Sequence, residues 1–433
     1  MHTGAAAVTA GKSGGEWAGP WRLGLSGLAT LAVTYGFGRY GYGLFLPRFQ
    51  AEFGGSAGVL GAVSSIGYLG ELVALVVVGW WAGRRSPRLP IGVGLGCAGA
   101  GILMIAAAPN MGILVAGVAV SGMAPGWVWT PYSDVVEDTV QPTKRAHALS
   151  LISTGTTFGV VLAGPAALFA TGSGWRVVWL AAALAAFVVM AWNLRSLPSA
   201  PVTREPSPAP VRWLELARRR GAWALFAAAT SSGLVGAVYW SFAGVAVATA
   251  NGGDERVAPA LWTVIGIAGT IGVFTGRFVR RHGLRPIFVA AQVVLSASTA
   301  VLWLAPPGWG FALTSAVLYG VGFMVGGTLL SLWSSTVFPD HPTRGFSIVV
   351  VFITLGAAAG PAALGLVVDL AGLTTAFAIA TLLALVTLAA LPRHTRARSE
   401  NTRPEDECGE DRRHGDFDGS ANSPVPREPK PLR

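Results

Sequence analysis

The sequence predicts an all-α integral membrane protein of twelve transmembrane helices, arranged as two pseudo-symmetric six-helix bundles with both termini cytoplasmic. Three observations carry this. The 433 residues are 52% hydrophobic and only 12% charged, about half the charge of an ordinary soluble domain. Twelve windows of about 20 predominantly apolar residues follow one another along the chain, each long enough to cross a hydrocarbon layer roughly 30 Å thick. The segments between them alternate in basic content. With the N terminus inside, 27 of the 31 Lys and Arg residues fall on the cytoplasmic side, Arg48, Arg176 and Arg256 fall outside, and Arg39 lies within the membrane.

Residues 1–20 form a cytoplasmic segment without the basic start and compact apolar core of a cleaved signal peptide, so the run beginning near Trp21 stays as a helix. The N-terminal bundle, 21–196, holds runs at 22–46, 58–81, 89–108, 112–133, 146–170 and 175–195. A linker, 197–221, carries five prolines and then a basic Trp213–Arg220 stretch suited to an anionic inner leaflet. The C-terminal bundle, 222–392, holds runs at 222–249, 259–279, 286–305, 310–336, 345–369 and 373–391. The short gaps at 108–112 and 305–310 require tight antiparallel hairpins. The tail, 393–433, reads as disordered: from Ser399 onward it holds nine of the 21 acidic residues and almost no large apolar ones.

The net charge of +10 comes from short basic clusters between apolar runs, which fits membrane flanks and not a nucleic-acid face. Of the two cysteines, Cys97 lies in an apolar run and Cys408 in the polar tail, so a disulfide between them is not expected. The halves look duplicated. Arg84-Arg85 recurs as Arg280-Arg281 and Gly164-Pro165 as Gly360-Pro361, both 196 residues on, and Tyr42 recurs as Tyr239 at 197.

The chemistry concentrates in Tyr35–Pro47, Y-G-F-G-R-Y-G-Y-G-L-F-L-P. If the helix ends at Pro47, Arg39 lies about 12 Å inside it, and a guanidinium in hydrocarbon is costly unless it faces a cavity or a partner. Tyr35, Arg39 and Tyr42 share a face by their i, i+4, i+7 spacing, which reads as the wall of a substrate passage. Glu71 lies in the next span about 18 Å deep, within reach of Arg39, with Tyr68 and Ser64 on its own face. Two readings of the pair stay open: static neutralisation, or separation during a cycle in which Arg39 holds substrate and Glu71 takes a proton. Tyr239 and Trp240 stand at the second half's counterpart of the Arg39 face and are further candidate substrate ligands. Asp369 is expected at the outer end of its span, on the surface.

With two duplicated six-span halves in place, the layout resembles the major facilitator superfamily, in which two bundles surround a central cavity and expose it alternately to either side. That family carries a signature close to G-x-x-x-D-x-x-G-R-K between spans 2 and 3 and again between spans 8 and 9. Here the copies read Gly79 to Arg88 and Gly276 to Arg285, with Gly83 and Arg280 where the family has its aspartate. The aspartate's gating ion pair therefore does not carry over. Arg84, Arg85, Arg280 and Arg281 remain as a basic turn, read either as gate residues or as topogenic charge. Gly155, Gly159 and Gly164-Pro165 resemble the family's antiporter signature, which implies export, with Gly356, Gly360-Pro361 and Gly365 in the second half. Gly-Phe-Gly-Arg39-Tyr with Gly67-Tyr68-Leu69-Gly70 is similar to a bacterial branch with a Gly-Arg-aromatic motif in its first helix.

The expected function is secondary active transport of a small organic molecule by alternating access, coupled to protons and directed outward, in a bacterial cytoplasmic membrane. A monomer is expected, with no cofactor or metal and no enzymatic activity. There is no G-x-x-x-x-G-K-[ST] for ATP, no H-E-x-x-H and no Ser-His-Asp set. A polytopic membrane enzyme and a non-transporting sensor are the alternatives, and the duplicated halves favour transport over both.

Overall fold

A computed structural model describes residues 20–81, 86–170, 174–199 and 213–390. The expectations for Arg84 and Arg85, for most of the proline-rich linker and for the tail lie outside the described residues. Ten helices among the described residues are long and apolar enough to cross a membrane.

The chain opens with α1 (Pro20–Leu31), a π-helical segment (Ala32–Phe37) and α2 (Gly41–Phe53). It continues through α3 (Ala57–Trp81), α4 (Arg88–Ala106), α5 (Met111–Thr139), α6 (Pro142–Leu168) and α7 (Gly174–Ser196). A short α8 (Trp213–Ala217) precedes α9 (Ala222–Ala250), α10 (Val257–Gly269), α11 (Thr275–His282), α12 (Leu284–Leu304) and α13 (Trp309–Val337). The last element, α14 (Pro342–Val386), is broken at Gly372, whose φ of 86° only glycine adopts readily, into limbs at 342–371 and 373–386.

Pro47 does not end the first run, as the sequence reading expected; it sits inside α2, which continues to Phe53. One backbone hydrogen bond is lost at the proline. The helix persists because Phe49 and Phe53 pack on Trp175, at centroid distances of 5.2 and 6.4 Å.

The glycine-rich segments seat neighbouring helices backbone to backbone. A Cβ on Gly155 would lie 2.2 Å from the Leu28 carbonyl oxygen, and one on Gly159 2.2 Å from that of Ala32. In the second half a Cβ on Gly356 would lie 1.9 Å from the Thr230 carbonyl oxygen and one on Gly360 2.7 Å from that of Leu234. Each partner stands 201 or 202 residues after its counterpart, so α6 on α1 and α14 on α9 are the same joint built twice. Small residues four apart permit that approach in a membrane, where no hydrophobic force drives helices together.

The halves meet chiefly at the end that bears Gly54–Ser56 and Asn251–Arg256, which is poor in basic residues. Gly43 lies against the Trp240 carbonyl, Gly61 against that of Pro361, and Gly164 against Pro259 and Thr263. Ser64 and Ser241 hydroxyls bond at 2.8 Å, and the Ala362 N–H donates to Ser65 at 3.0 Å. The interface stripe of α3 runs through Gly58, Gly61, Ser65 and Tyr68, the last packed with Ala237, Ala357 and Ala358. Continued at helical spacing, it reaches Val76, 48% exposed, and Gly79, beside which a side chain would find open space. Along this stripe α3 therefore leaves the other half toward the opposite, basic end. There Ser86 donates to the Pro198 carbonyl and Arg219 to Asp340 at 2.8 Å. The Arg219 hydrogen bond holds the Asp340 carboxyl below the usual carboxylate range.

Candidate transport site

The site begins with a defect in the first helix. The Gly38 N–H reaches back to the Val33 carbonyl (3.1 Å) and the Tyr40 N–H to that of Tyr35 (3.0 Å), each five residues away and not four. Such π-helical turns widen the helix by one residue and are frequent at functional sites. Gly38 is required here, since a Cβ would stand 2.5 Å from the Thr34 carbonyl oxygen. The extra residue widens the turn and brings Tyr40 beside the guanidinium together with Tyr35, while Tyr42 lines the same cleft as Arg39.

Arg39 donates to Glu71 on α3 through Nη1. The pair is largely withdrawn from water, with side-chain exposures of 11% for arginine and 3% for glutamate. The guanidinium carbon lies 5.0 Å from the Tyr68 ring centre, 5.5 Å from that of Tyr35 and 5.6 Å from that of Tyr40. Rings at these distances attract a cation through their quadrupoles, most strongly where water is excluded. Arg39 Nε and Glu71 Oε2 are buried without a protein partner. Both residues border a small cleft that Tyr42, Ser64, Tyr68, Val118 and Gly122 also line. The arrangement is an electroneutral pair with one free donor and one free acceptor, walled by aromatic rings.

The structure brings together Arg39, Glu71, Tyr35 and Tyr68, and it places Tyr42 at the cleft with its hydroxyl donated to the Leu60 carbonyl at 3.0 Å. Trp240 joins from the second half by stacking on Tyr40, with centroids 4.2 Å apart and planes at 22°. Tyr239 turns away, stacked on Tyr319 at 3.6 Å with its hydroxyl bonded to Ser315 at 2.8 Å. Arg280 and Arg281 stand exposed on α11 at the basic end. Sequence reasoning missed Tyr40 and Ser241; the only available signal was the glycine density around Arg39, which hints at irregular backbone without fixing its register. Replacing Tyr40 by Leu is expected to cost about 1–2 kcal/mol, through the lost stack on Trp240 and the lost ring contact with Arg39. Tyr40→Phe should cost less than half of that, and thermal unfolding in detergent measures both.

A family profile described as Major Facilitator Superfamily matches residues 28–342 and 263–432. The chain belongs to this superfamily. Among curated superfamily relatives, the purine ribonucleoside efflux pump NepI of Escherichia coli (strain K12) is 28% identical over 300 residues, covering 66% of this chain and 72% of that one. NepI of Shigella dysenteriae serotype 1 (strain Sd197) is 28% identical over 296 residues, with the same coverage. Among solved structures, a point mutant of the nucleoside transporter NupG superposes with a TM-score of 0.72 at 12% identity, over 86% of this chain and 98% of that one. A bacterial homologue of the human lysosomal transporter Spinster gives 0.67 at 14% identity, over 86% and 96%. At those identities the structural likeness concerns the fold alone. As a superfamily member the chain is a multi-pass membrane transporter, and its curated relatives are efflux pumps.

Proposed function

We propose that this chain is a proton-coupled exporter that works by alternating access in the bacterial inner membrane as a monomer. The proposed cargo is a small neutral molecule with a planar ring, of which purine ribonucleosides are the first class to try. The ten spanning helices become twelve when the interrupted first run is counted and the two limbs of α14 are separated. An even number puts both termini on one side, and the basic loops put that side in the cytoplasm. The parting of the halves at the basic end then describes a conformation open inward.

The observation that carries the reading is the buried Arg39–Glu71 pair, set among tyrosine rings where the halves begin to part. An ion pair in a membrane interior is costly to keep unless it is used. Its free donor, Arg39 Nε, and free acceptor, Glu71 Oε2, are offered to cargo edges, while Tyr42 and Tyr68 line the cleft beside them as ring surfaces. A proton on Glu71 Oε2 turns that acceptor into a donor and removes the charge that holds Arg39, so protonation and cargo release become one event. The NepI relatives carry purine ribonucleosides by name, which fits a neutral cargo with a flat ring.

The test is flux in proteoliposomes under an imposed pH gradient, run over nucleosides, nucleobases, sugars and hydrophobic amines. Purine nucleoside flux that follows the gradient and vanishes with a protonophore is the expected result. Flux indifferent to the gradient contradicts the coupling, and flux of another class alone contradicts the cargo.

A further inference from the structure

We propose that Asp369 is a positioning residue of the transport cycle, whose carboxylate latches the outer end of the interface between the halves. It rests on the alternating-access reading but on neither the cargo nor the coupling ion. Asp369 ends the first limb of α14, in the second half, and its carboxylate caps the N terminus of α3, in the first. Oδ2 accepts from the Ser56 hydroxyl at 2.6 Å and from the Gly58 N–H at 2.9 Å, while Oδ1 accepts from the Ala57 N–H at 2.8 Å. First-turn N–H groups have no partner inside their own helix, and the helix dipole adds attraction for an anion there. An N cap is ordinarily supplied by the residue just before the helix; here the carboxylate stands 313 positions from Ser56 along the chain.

The backbone around the cap is fitted to it. A Cβ on Gly58 would stand 2.6 Å from Asp369 Oδ2, one on Gly365 2.6 Å from the Ala57 carbonyl oxygen, and one on Gly61 2.1 Å from that of Pro361. Glycines thus bring α3 and α14 into backbone contact along the turns next to the carboxylate. Ser56 serves both sides, since its oxygen also accepts weakly from the Val59 N–H at 3.4 Å. Arg48 and Glu255 pair across the same end at 2.5 Å, with the glutamate 64% exposed, so that contact is water-screened and weak. The cap is the directional contact. It exists only while the outer end is shut, and opening leaves three donors and a carboxylate to water. Asp369 therefore biases the equilibrium toward the inward-open form without touching cargo.

The experiment uses the full chain with Cys97→Ser and Cys408→Ser, carrying Ser65→Cys as a reporter at the buried α3–α14 contact. A membrane-impermeant thiol reagent is added from the outside, without cargo or pH gradient. Asp369→Ala should raise the labelling rate about tenfold, the loss expected of a strong N cap. Asp369→Asn, which keeps an acceptor oxygen but drops the charge, should fall between. If Asp369→Ala does not fold, Asp369→Asn and Ser56→Ala decide by the same readout. Glu52→Gln, which removes a carboxylate bonded to Arg176 within the first half, should leave the rate unchanged. Labelling at the native rate in Asp369→Ala, or equal acceleration by Glu52→Gln, overturns the latch. In a second arm, a short bis-thiosulfonate reagent, which forms a mixed disulfide with each thiol and expels a sulfinate, joins the pair Ser56→Cys and Asp369→Cys. Arrest of transport, relieved by reductant, is expected. Transport that continues through the crosslink overturns alternating access itself, whereas arrest combined with native-rate labelling overturns only the latch.

Discussion

Glu71→Gln is expected to abolish transport driven by a pH gradient, by about 100-fold or more, while exchange of labelled for unlabelled cargo across the same membrane persists. The reasoning starts from the pair. Glutamine keeps the shape and an acceptor oxygen beside Arg39, so the cargo site retains its walls. It carries neither charge nor a titratable proton, so nothing links the guanidinium's release to the gradient. The substitution also leaves Arg39 with an unmatched charge in a setting where its side chain is 11% exposed. Breaking a buried pair from one side typically costs about 3–5 kcal/mol, and the retained amide should hold the loss to the lower part of that range. Thermal unfolding and flux must therefore be measured on the same preparation. A stable Glu71→Gln protein with intact gradient-driven flux would remove Glu71 from the coupling path.

The second large effect concerns Gly43. A Cβ there would fall 1.7 Å from the Trp240 carbonyl oxygen and 3.2 Å from the Ser241 Cα, both backbone atoms of α9. No side chain can move aside to admit it, so α2 and α9 must separate. Gly43→Val is expected to disfavour closure of the outer end by at least the roughly 1–3 kcal/mol usual for overpacking, and to cut transport about tenfold or more. Gly326→Val is the matched control, because a Cβ there meets nothing within 4 Å. Insertion and folding of both should match the native chain. Loss of flux in Gly43→Val alone, with faster outside labelling of the Ser65→Cys reporter, is the predicted pattern.

Much of this was legible in the sequence because regular helices in a bilayer obey simple rules. Length and hydropathy located the ten long apolar helices among the described residues, and the depth of Arg39 and Glu71, counted at roughly 1.5 Å per residue, already put them within reach of each other. Tyr68 was placed correctly on the Glu71 side because α3 is an uninterrupted helix, where i and i+3 share a face. The first helix broke that rule. One residue of π-helix added Tyr40 to the rings around Arg39, and helical periodicity carries no trace of such a turn. Pro47 misled in the opposite direction, since packing on Trp175 carried the helix past it.

The contacts between halves were not legible at all. Asp369 looked like a surface carboxylate at the end of a span, and its exposure is indeed high. Its partners lie 311 to 313 residues away, and only the packed arrangement brings them together. The glycines were visible, but their meaning was not. Gly155 and Gly159 resemble a signature linked to export, and in the structure they seat α6 on the backbone of α1.

The central claim is that one proton and one cargo molecule compete for the Arg39–Glu71 pair. Its most direct measurement is the pH of a weakly buffered solution of the detergent-solubilised protein as purine nucleoside is added. The claim predicts release of about one proton per chain as the site fills at a pH where Glu71 is protonated, with none from Glu71→Gln at the same occupancy. Saturable binding with no proton released by the native chain, at any pH where it stays folded, would contradict it.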